Sequence, residues 1–231
     1  MNKRKLFIIF VLILFKLFTI KVYSQIDLES KNHFIWFDNV VGDGNLGIYN
    51  GTKFIEKYKT KPNNHRFLLD NTFRLGNLIY DNQTYYNIPL KYDVHDDQLI
   101  AKLPYQSNFL FVKLIKEKVD FFEINVNEIN FSQKKLSFIN SVAYSEIVDF
   151  TFKGFYQILL KNKTAILLKK NFKEKSELIE NNLAFVKFSD KSHFAILKDN
   201  KYYKINSKKD VIKVYPKQKR YISIFYRRNR K

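Results

Sequence analysis

The chain has 231 residues, of which 17% are aromatic and 45% hydrophobic, with no cysteine and a formal charge of +19. That length and apolar content allow one or two packed domains and exclude a disordered chain. The absence of cysteine excludes disulfides, thiolate metal sites and a cysteine nucleophile. Abundant Phe, Tyr and Ile beside six Gly and four Pro favour strands, and the same bias, with Lys and Asn, is what an AT-rich genome produces.

Residues 1–24 read as an export signal. Lys3-Arg4-Lys5 is a basic start, Leu6–Phe15 is an apolar run of ten, and Val22-Tyr23-Ser24 offers a cleavage site before Gln25. The run is too short to span a bilayer alone, and Lys16 and Lys21 interrupt its extension, so cleavage near Ser24 is favoured over an uncleaved N-terminal anchor. No Cys follows the run, so a lipid-anchored lipoprotein is not expected. The expected location is therefore the periplasm, the outer membrane or the cell surface. Residues 1–24 carry five basic and no acidic residues, leaving +14 on the mature chain. Of this, residues 207–231 hold +9, from ten basic residues and one acid, and the body 25–206 only +5.

His33–Val41 reads as a strand and Gly42–Gly51 as a loop, in which Ile48-Tyr49 could form a short strand. Lys53–Tyr58 is ambiguous: Phe54, Ile55 and Tyr58 have helical spacing, but the stretch is short and bounded by Gly51 and Pro62. Thr72–Leu103 is the most legible stretch, a three-armed β-meander. Its first arm places Phe73, Leu75 and Ile79 on one face, with Leu78 and Tyr80 adding some apolar area to the other. The second places Tyr86, Ile88, Leu90 and Tyr92 on one face, and Pro89, which cannot donate to a ladder, puts this arm at an edge or a bulge. The third places Leu99, Ala101 and Leu103 on one face. Asp81-Asn82-Gln83 and Asp93–Asp97 are the turns between arms. Period-2 patterning over three arms predicts an antiparallel sheet with one buried face.

Further strands are predicted at Phe109–Ile115, Val119–Asn125, Glu128–Phe131 and Phe138–Ile139. A hairpin is expected from Gly154–Leu160 and Thr164–Lys169, and a second meander from Leu183–Phe188, His193–Leu197 and Tyr202–Ile205. The charged stretch Asn171–Asn181 reads as a loop. The end of the chain is helical: Ser207…Asp210 has capping-box spacing, and Tyr221, Ile224 and Phe225 recur at i, i+3, i+4. Two short helices are expected, about 208–214 and 217–228, packed by their apolar sides with basic residues around them.

The motifs that could carry chemistry have plainer readings. Gly42–Gly47 matches G-x-G-x-x-G, but no helix or βαβ pattern follows, so it reads as a turn. Asp93-Val94-His95-Asp96-Asp97 clusters three carboxylates and an imidazole, but it lacks the glycine and glutamate of an EF-hand and lies where a hairpin needs Asx residues. His33, His65 and His193 show no ligand spacing, and no Ser sits in G-x-S-x-G. No catalytic, cofactor-binding or metal residue is singled out, and no cofactor is expected. The candidate partner-binding residues are Lys217, Lys219, Arg220, Arg227, Arg228 and Arg230, suited to an acidic protein, lipid headgroup or glycan. Export argues against nucleic acid.

Four stretches carry a resemblance: NGTKFIEKY, LGNLIYDNQTYYNIPLKYDVHDDQLI, GFYQILLKNKTAILLKK and NKYYKINSKKDVIKVYPKQKRYISIFYRRN. The most specific is the second, a Gly-led strand, a short turn and an aromatic strand ending in LKYD before an acidic turn. In these the chain resembles exported, β-rich envelope proteins of AT-rich Gram-negative bacteria, a family of unknown function. The resemblance implies export and shared architecture, with no catalytic residues.

The expected fold is mainly β, with antiparallel meanders forming one or two sheet units (25–132 and 133–206) closed by the basic helical segment 207–231. The leading functional expectation is a non-enzymatic binding or structural module of the envelope. The alternatives are a hydrolase with dispersed residues such as His65 and His95 in an inter-sheet cleft, and a β-barrel that carries a lipid or small ligand.

Overall fold

The structure, a computed structural model, describes residues 46–127, 133–144 and 153–229. The expected signal segment, the His33–Val41 strand, most of Gly42–Gly47, the Glu128–Phe131 strand and Arg230 lie outside these residues. The chain is mainly β, as expected. Its strands are β1 (Gly51–Lys53), β2 (Arg74–Tyr80), β3 (Gln83–Asp93), β4 (Gln98–Tyr105), β5 (Asn108–Leu114), β6 (Val119–Asn127), β7 (Gln133–Asn140), β8 (Phe155–Lys161), β9 (Ala165–Lys170), β10 (Lys173–Glu180), β11 (Leu183–Asp190), β12 (His193–Lys198) and β13 (Lys201–Ile205). Two helices follow, α1 (Lys208–Val214) and α2 (Lys219–Arg228). Eleven strands form one sheet in the order β1-β5-β4-β3-β2-β6-β7-β8-β9-β12-β13, and β10-β11 stand apart as a hairpin. Ile48-Tyr49 belongs to a 3-10 turn rather than a strand, and no helix forms over Lys53–Tyr58.

The sheet is strongly curled across the span from β5 through β4, β3 and β2 to β6. On a flat sheet β5 and β6 would lie four strand spacings apart, about 19 Å. Only Ile115 and the 3-10 turn Lys116–Lys118 join them, and such a turn rises about 2 Å per residue. The connection closes because the intervening strands curl round. Asp81 N–H donates to the Lys118 carbonyl at 2.8 Å, and Ile115 N–H to the Tyr80 hydroxyl at 3.4 Å, fixing that curl. The sheet does not close into a barrel, and its interior is filled by side chains, so the ligand-carrying barrel is not what the chain builds.

A bulge resets the meander. Gly76 pairs with Ile88 and Leu78 with Tyr85, so Tyr86 and Asn87 together oppose Asn77. Asn87 takes a positive φ of 55°, and its N–H donates to Asn77 Oδ1 at 3.0 Å. The inward face therefore changes parity along β3, with Tyr85 buried before the bulge and Leu90 and Tyr92 after it. Simple alternation missed this, although a bulge is one of the two placements, edge or bulge, that Pro89 suggests for this arm. β3 is an interior strand, and Pro89 pairs with Leu75 just outside the β3–β4 ladder, which begins at Leu90. On β2 the buried residues are Gly76, Leu78 and Tyr80, while Leu75 is exposed. Gly76 lies against β6 so closely that a Cβ would strike the Glu123 carbonyl and the Leu90 side chain.

The buried face of the sheet switches sides at β7 and β8. Phe138 and Phe155 belong to the first core cluster, with Leu78, Tyr80, Tyr92, Leu99, Val112 and Phe122. Their neighbours in sequence, Ile139 and Tyr156, belong to a second, with Leu168, Ala195 and Leu197. Adjacent residues of a strand point to opposite faces, so the two clusters lie on opposite sides of one continuous sheet. Rings mark the junction: Phe122 stacks on Phe138 at 4.5 Å, and Tyr92 and Phe155 meet Phe122 edge-on at 5.5 and 5.1 Å.

Asn171–Asn181 is not a loop. It supplies β10, paired in register with β11 from Lys173↔Asp190 to Glu180↔Leu183. Asn181 and Asn182 both take positive φ, 51° and 61°, the requirement of a type I′ turn. Between this hairpin and the main sheet runs residues 54–68 as an extended strap. The strap reaches the sheet through Phe54 N–H to the Phe111 carbonyl (2.8 Å) and Leu68 N–H to the Tyr92 carbonyl (2.9 Å). It reaches the hairpin through Val186 N–H to the Lys59 carbonyl (2.9 Å) and two bonds between the Asn64 amide and the Phe188 backbone.

The Gly76→Ala variant is expected to lose about 1–3 kcal/mol, because the new methyl must displace backbone rather than a flexible chain end. The measurement is the denaturant midpoint, at an unchanged m-value.

Candidate interaction surface

The basic C-terminal segment is held to the sheet by α1. The Asp210 carboxylate reaches back to accept from Asn206 N–H (3.1 Å) and the Ser207 hydroxyl (2.9 Å), which starts the helix. The expected capping box is thus half formed, because the Ser207 side chain makes no return bond to the helix backbone. The Ser207 hydroxyl and the Asn206 N–H hold the Asp210 carboxyl below the usual carboxylate range. α1 packs on β13, Val214 is buried, and the Lys198 ammonium lies 5.1 Å from the Tyr215 ring centre. Pro216 then opens a single 3-10 turn, Pro216–Gln218, which delivers the chain into α2.

α2 packs against α1 and that turn. None of its residues is buried. The Tyr221–Ile224–Phe225 face read from the sequence is present, but it is not sealed: Tyr221 is 78% and Phe225 63% exposed. The physical reason is positional: α1 occupies the contact with β13, and α2 lies beyond it.

Lys217, Lys219, Arg220, Arg227 and Arg228 are all exposed, and α2 contains no acidic residue. The structure brings Arg220 and Arg227 together in a groove of about 660 Å³, lined also by Lys208, Ser223, Ile224 and Tyr226. Arg220, Ser223, Ile224 and Arg227 stand at i, i+3, i+4 and i+7, one face of the helix. Lys217, Lys219 and Arg228 do not line the groove. Sequence reading missed Lys208, Ser223 and Tyr226; the i, i+7 spacing of the two arginines was the available signal.

The acidic turn is a fold hub. Asp93 accepts His95 and Asp96 N–H, each at 3.1 Å, as turn chemistry requires. It also binds the buried Arg66 guanidinium, which reaches Glu56 as well. Arg66 is in turn packed among Tyr58, Phe67 and Phe54, 4.8, 5.0 and 5.6 Å from their ring centres. Buried Lys91 sits 4.1 Å from the Phe67 ring and 4.6 Å from Phe73, and burial pushes its pKa down. Asp97 accepts the Tyr92 hydroxyl at 2.6 Å and pairs with Lys116 at 2.5 Å and Lys170 at 3.0 Å. Burial works to raise the Asp97 carboxyl, but Lys170 and Lys116 outweigh it and hold it below its ordinary value. Lys170 is itself lowered, because burial and the repulsion of Lys116 exceed its attraction to the shared carboxylate. Gly154 makes room for the cluster: its φ is +114°, and a Cβ would collide with Asp97 Oδ2.

His65 and His95 do converge, but on a lysine. Lys173 donates to the carbonyls of His65 and Phe67, both at 2.8 Å, and its carbonyl lies 2.9 Å from His95 Nδ1. The His65 ring stacks on Phe67, and His95 stacks on Phe172 and meets Phe188 edge-on. Burial and Lys173 push His65 below its ordinary value. These rings pack between the strap and the hairpin. Among the described residues no three His, Asp or Glu side chains converge to hold a metal ion. No protein-family profile, curated protein or solved structure matches the chain.

Asp97→Asn is expected to cost about 3–5 kcal/mol, since it strands two lysines beside a buried neutral amide. The Asp97 carboxyl has a lower pKa folded than unfolded. Its contribution is therefore complete above about pH 4 and declines as pH falls through the folded value. Urea unfolding of both proteins across acid pH should show their difference in stability shrinking as pH drops.

Proposed function

We propose that the protein is a non-enzymatic binding module of the cell envelope, exported by its N-terminal segment and released by cleavage near Ser24 to the periplasm or the outer surface. Its contact with an acidic envelope component would run through α1 and α2. The observation that carries this reading is an exposed helix with four basic residues and no acidic one, Lys219, Arg220, Arg227 and Arg228, anchored to the sheet by a second helix that adds Lys208 to the same groove. Such a surface attracts anionic partners through charge steering and counter-ion release. The resemblance to exported envelope proteins supports the same direction.

The test is a variant with Lys217, Lys219, Arg220, Arg227 and Arg228 all changed to Gln. These side chains are exposed, so circular dichroism should be unchanged. The parent protein should sediment with envelope fractions and bind immobilised heparin at low salt, eluting as salt rises, and the variant should do neither. Equal salt-sensitive association of the two would sink the reading. Fractionation of a tagged chain, with N-terminal sequencing expected to begin at Gln25, tests the export half.

A further inference from the structure

The partner class can be narrowed, on the footing of the binding reading above. We infer that α1 and α2 form an interfacial device for an anionic phospholipid surface, with the Lys208–Arg220–Arg227 groove taking a headgroup phosphate and Tyr221 and Phe225 entering the acyl boundary.

Two features of α2 have to be explained together. One is the groove, lined by the cationic Lys208, Arg220 and Arg227 together with Ser223, Ile224 and Tyr226. Cations and a hydroxyl donor suit the oxygens of a phosphate group. The other is the stripe of Tyr221 and Phe225, one turn apart and among the most exposed large hydrophobic side chains described. A glycan, or any soluble partner that met only the cations, would leave Phe225 in water. A lipid surface satisfies both, because a short helix with a basic flank and an aromatic stripe lies in the plane of the headgroups with its rings at the acyl boundary.

The order of residues round α2 fits that posture. At about 100° per residue, the Tyr221–Phe225 stripe is followed on one side by Arg228, then Ile224, then Arg220 and Arg227. Arg228 and then Ile224 thus lead from the aromatic rings to the long cationic chains of Arg220 and Arg227, which can bend towards phosphates while their stems stay against the surface. Among the described residues no helix is long and apolar enough to cross a membrane, so α2 would lie on the surface. Its place beyond α1 leaves the stripe clear of the sheet, and the helix exists before any lipid is met, so contact need not order it.

The probe is the full mature chain with Trp36→Phe and Tyr221→Trp, which leaves one tryptophan, on the stripe. It is titrated with vesicles of phosphatidylcholine alone and of phosphatidylcholine mixed with phosphatidylglycerol. The expected result is a blue shift of emission and quenching by brominated acyl chains with the anionic vesicles only. Changing Arg220 and Arg227 to Gln should weaken vesicle binding roughly thirtyfold, as two surface-bound basic side chains imply. Phe225→Asn should weaken it while leaving its salt dependence in place. Vesicle binding with an unshifted, unquenched tryptophan overturns the inference. So does heparin binding without vesicle binding, which spares the broader envelope reading, and so does equal displacement by inorganic phosphate from vesicles of either composition. Loss of both heparin and vesicle binding overturns both readings.

Discussion

Asp97 joins parts of the chain that are far apart in sequence. It lies in the β3–β4 turn, accepts a hydrogen bond from the Tyr92 hydroxyl on β3, and is shared between Lys116 from the β5–β6 connection and Lys170 from the end of β9. Its Oδ1 also lies 3.4 Å from Phe155 N at the start of β8. These are the strands between which the buried face of the sheet changes sides. A buried carboxylate between two ammonium groups is costly to leave incomplete, so the arrangement is tolerant of neither a missing partner nor a shifted register. Gly154, with its positive φ and no side chain, is the backbone concession that lets the cluster close.

A second ionic centre does similar work where the strap meets the end of β3. Arg66 and Asp93 are each 2% exposed, and the rings of Tyr58, Phe67 and Phe54 surround the guanidinium. Cation–ring contacts of this kind strengthen when water is excluded. With no cysteine in the chain, the strap cannot be stapled covalently, and Arg66, Lys91 and Lys173 tie it between sheet and hairpin through carboxylates, rings and backbone carbonyls.

The parts that were readable in the sequence are those where one face is buried and turns carry Asx residues. In β4 Leu99, Ala101 and Leu103 are inward as read, although Ile100 on the other face is buried as well, and Asp81-Asn82 is a two-residue turn with positive φ at both positions. β10 was not readable because its residues alternate nothing: it is nearly all exposed and is held by its ladder to β11. The Asn181-Asn182 pair was the missed signal. The bulge at Asn87 was hidden because a one-residue insertion leaves composition unchanged while reversing the faces of Tyr85 and Tyr86. In the C-terminal segment the helices and the basic residues were legible. The openness of Tyr221 and Phe225 was not, since an amphipathic pattern does not say which neighbour reaches the apolar face first.

The β10–β11 hairpin leaves the main sheet and returns without disturbing it. Lys170 at the end of β9 is already paired with His193 at the start of β12, so the ladder is continuous across the excursion. In topological terms this is an insertion: residues 172–191 leave and re-enter without breaking the β9–β12 ladder. What binds the insertion to the rest of the chain is instead the strap, through Lys59 and Asn64 to β11, and Lys173, through His65, Phe67 and His95.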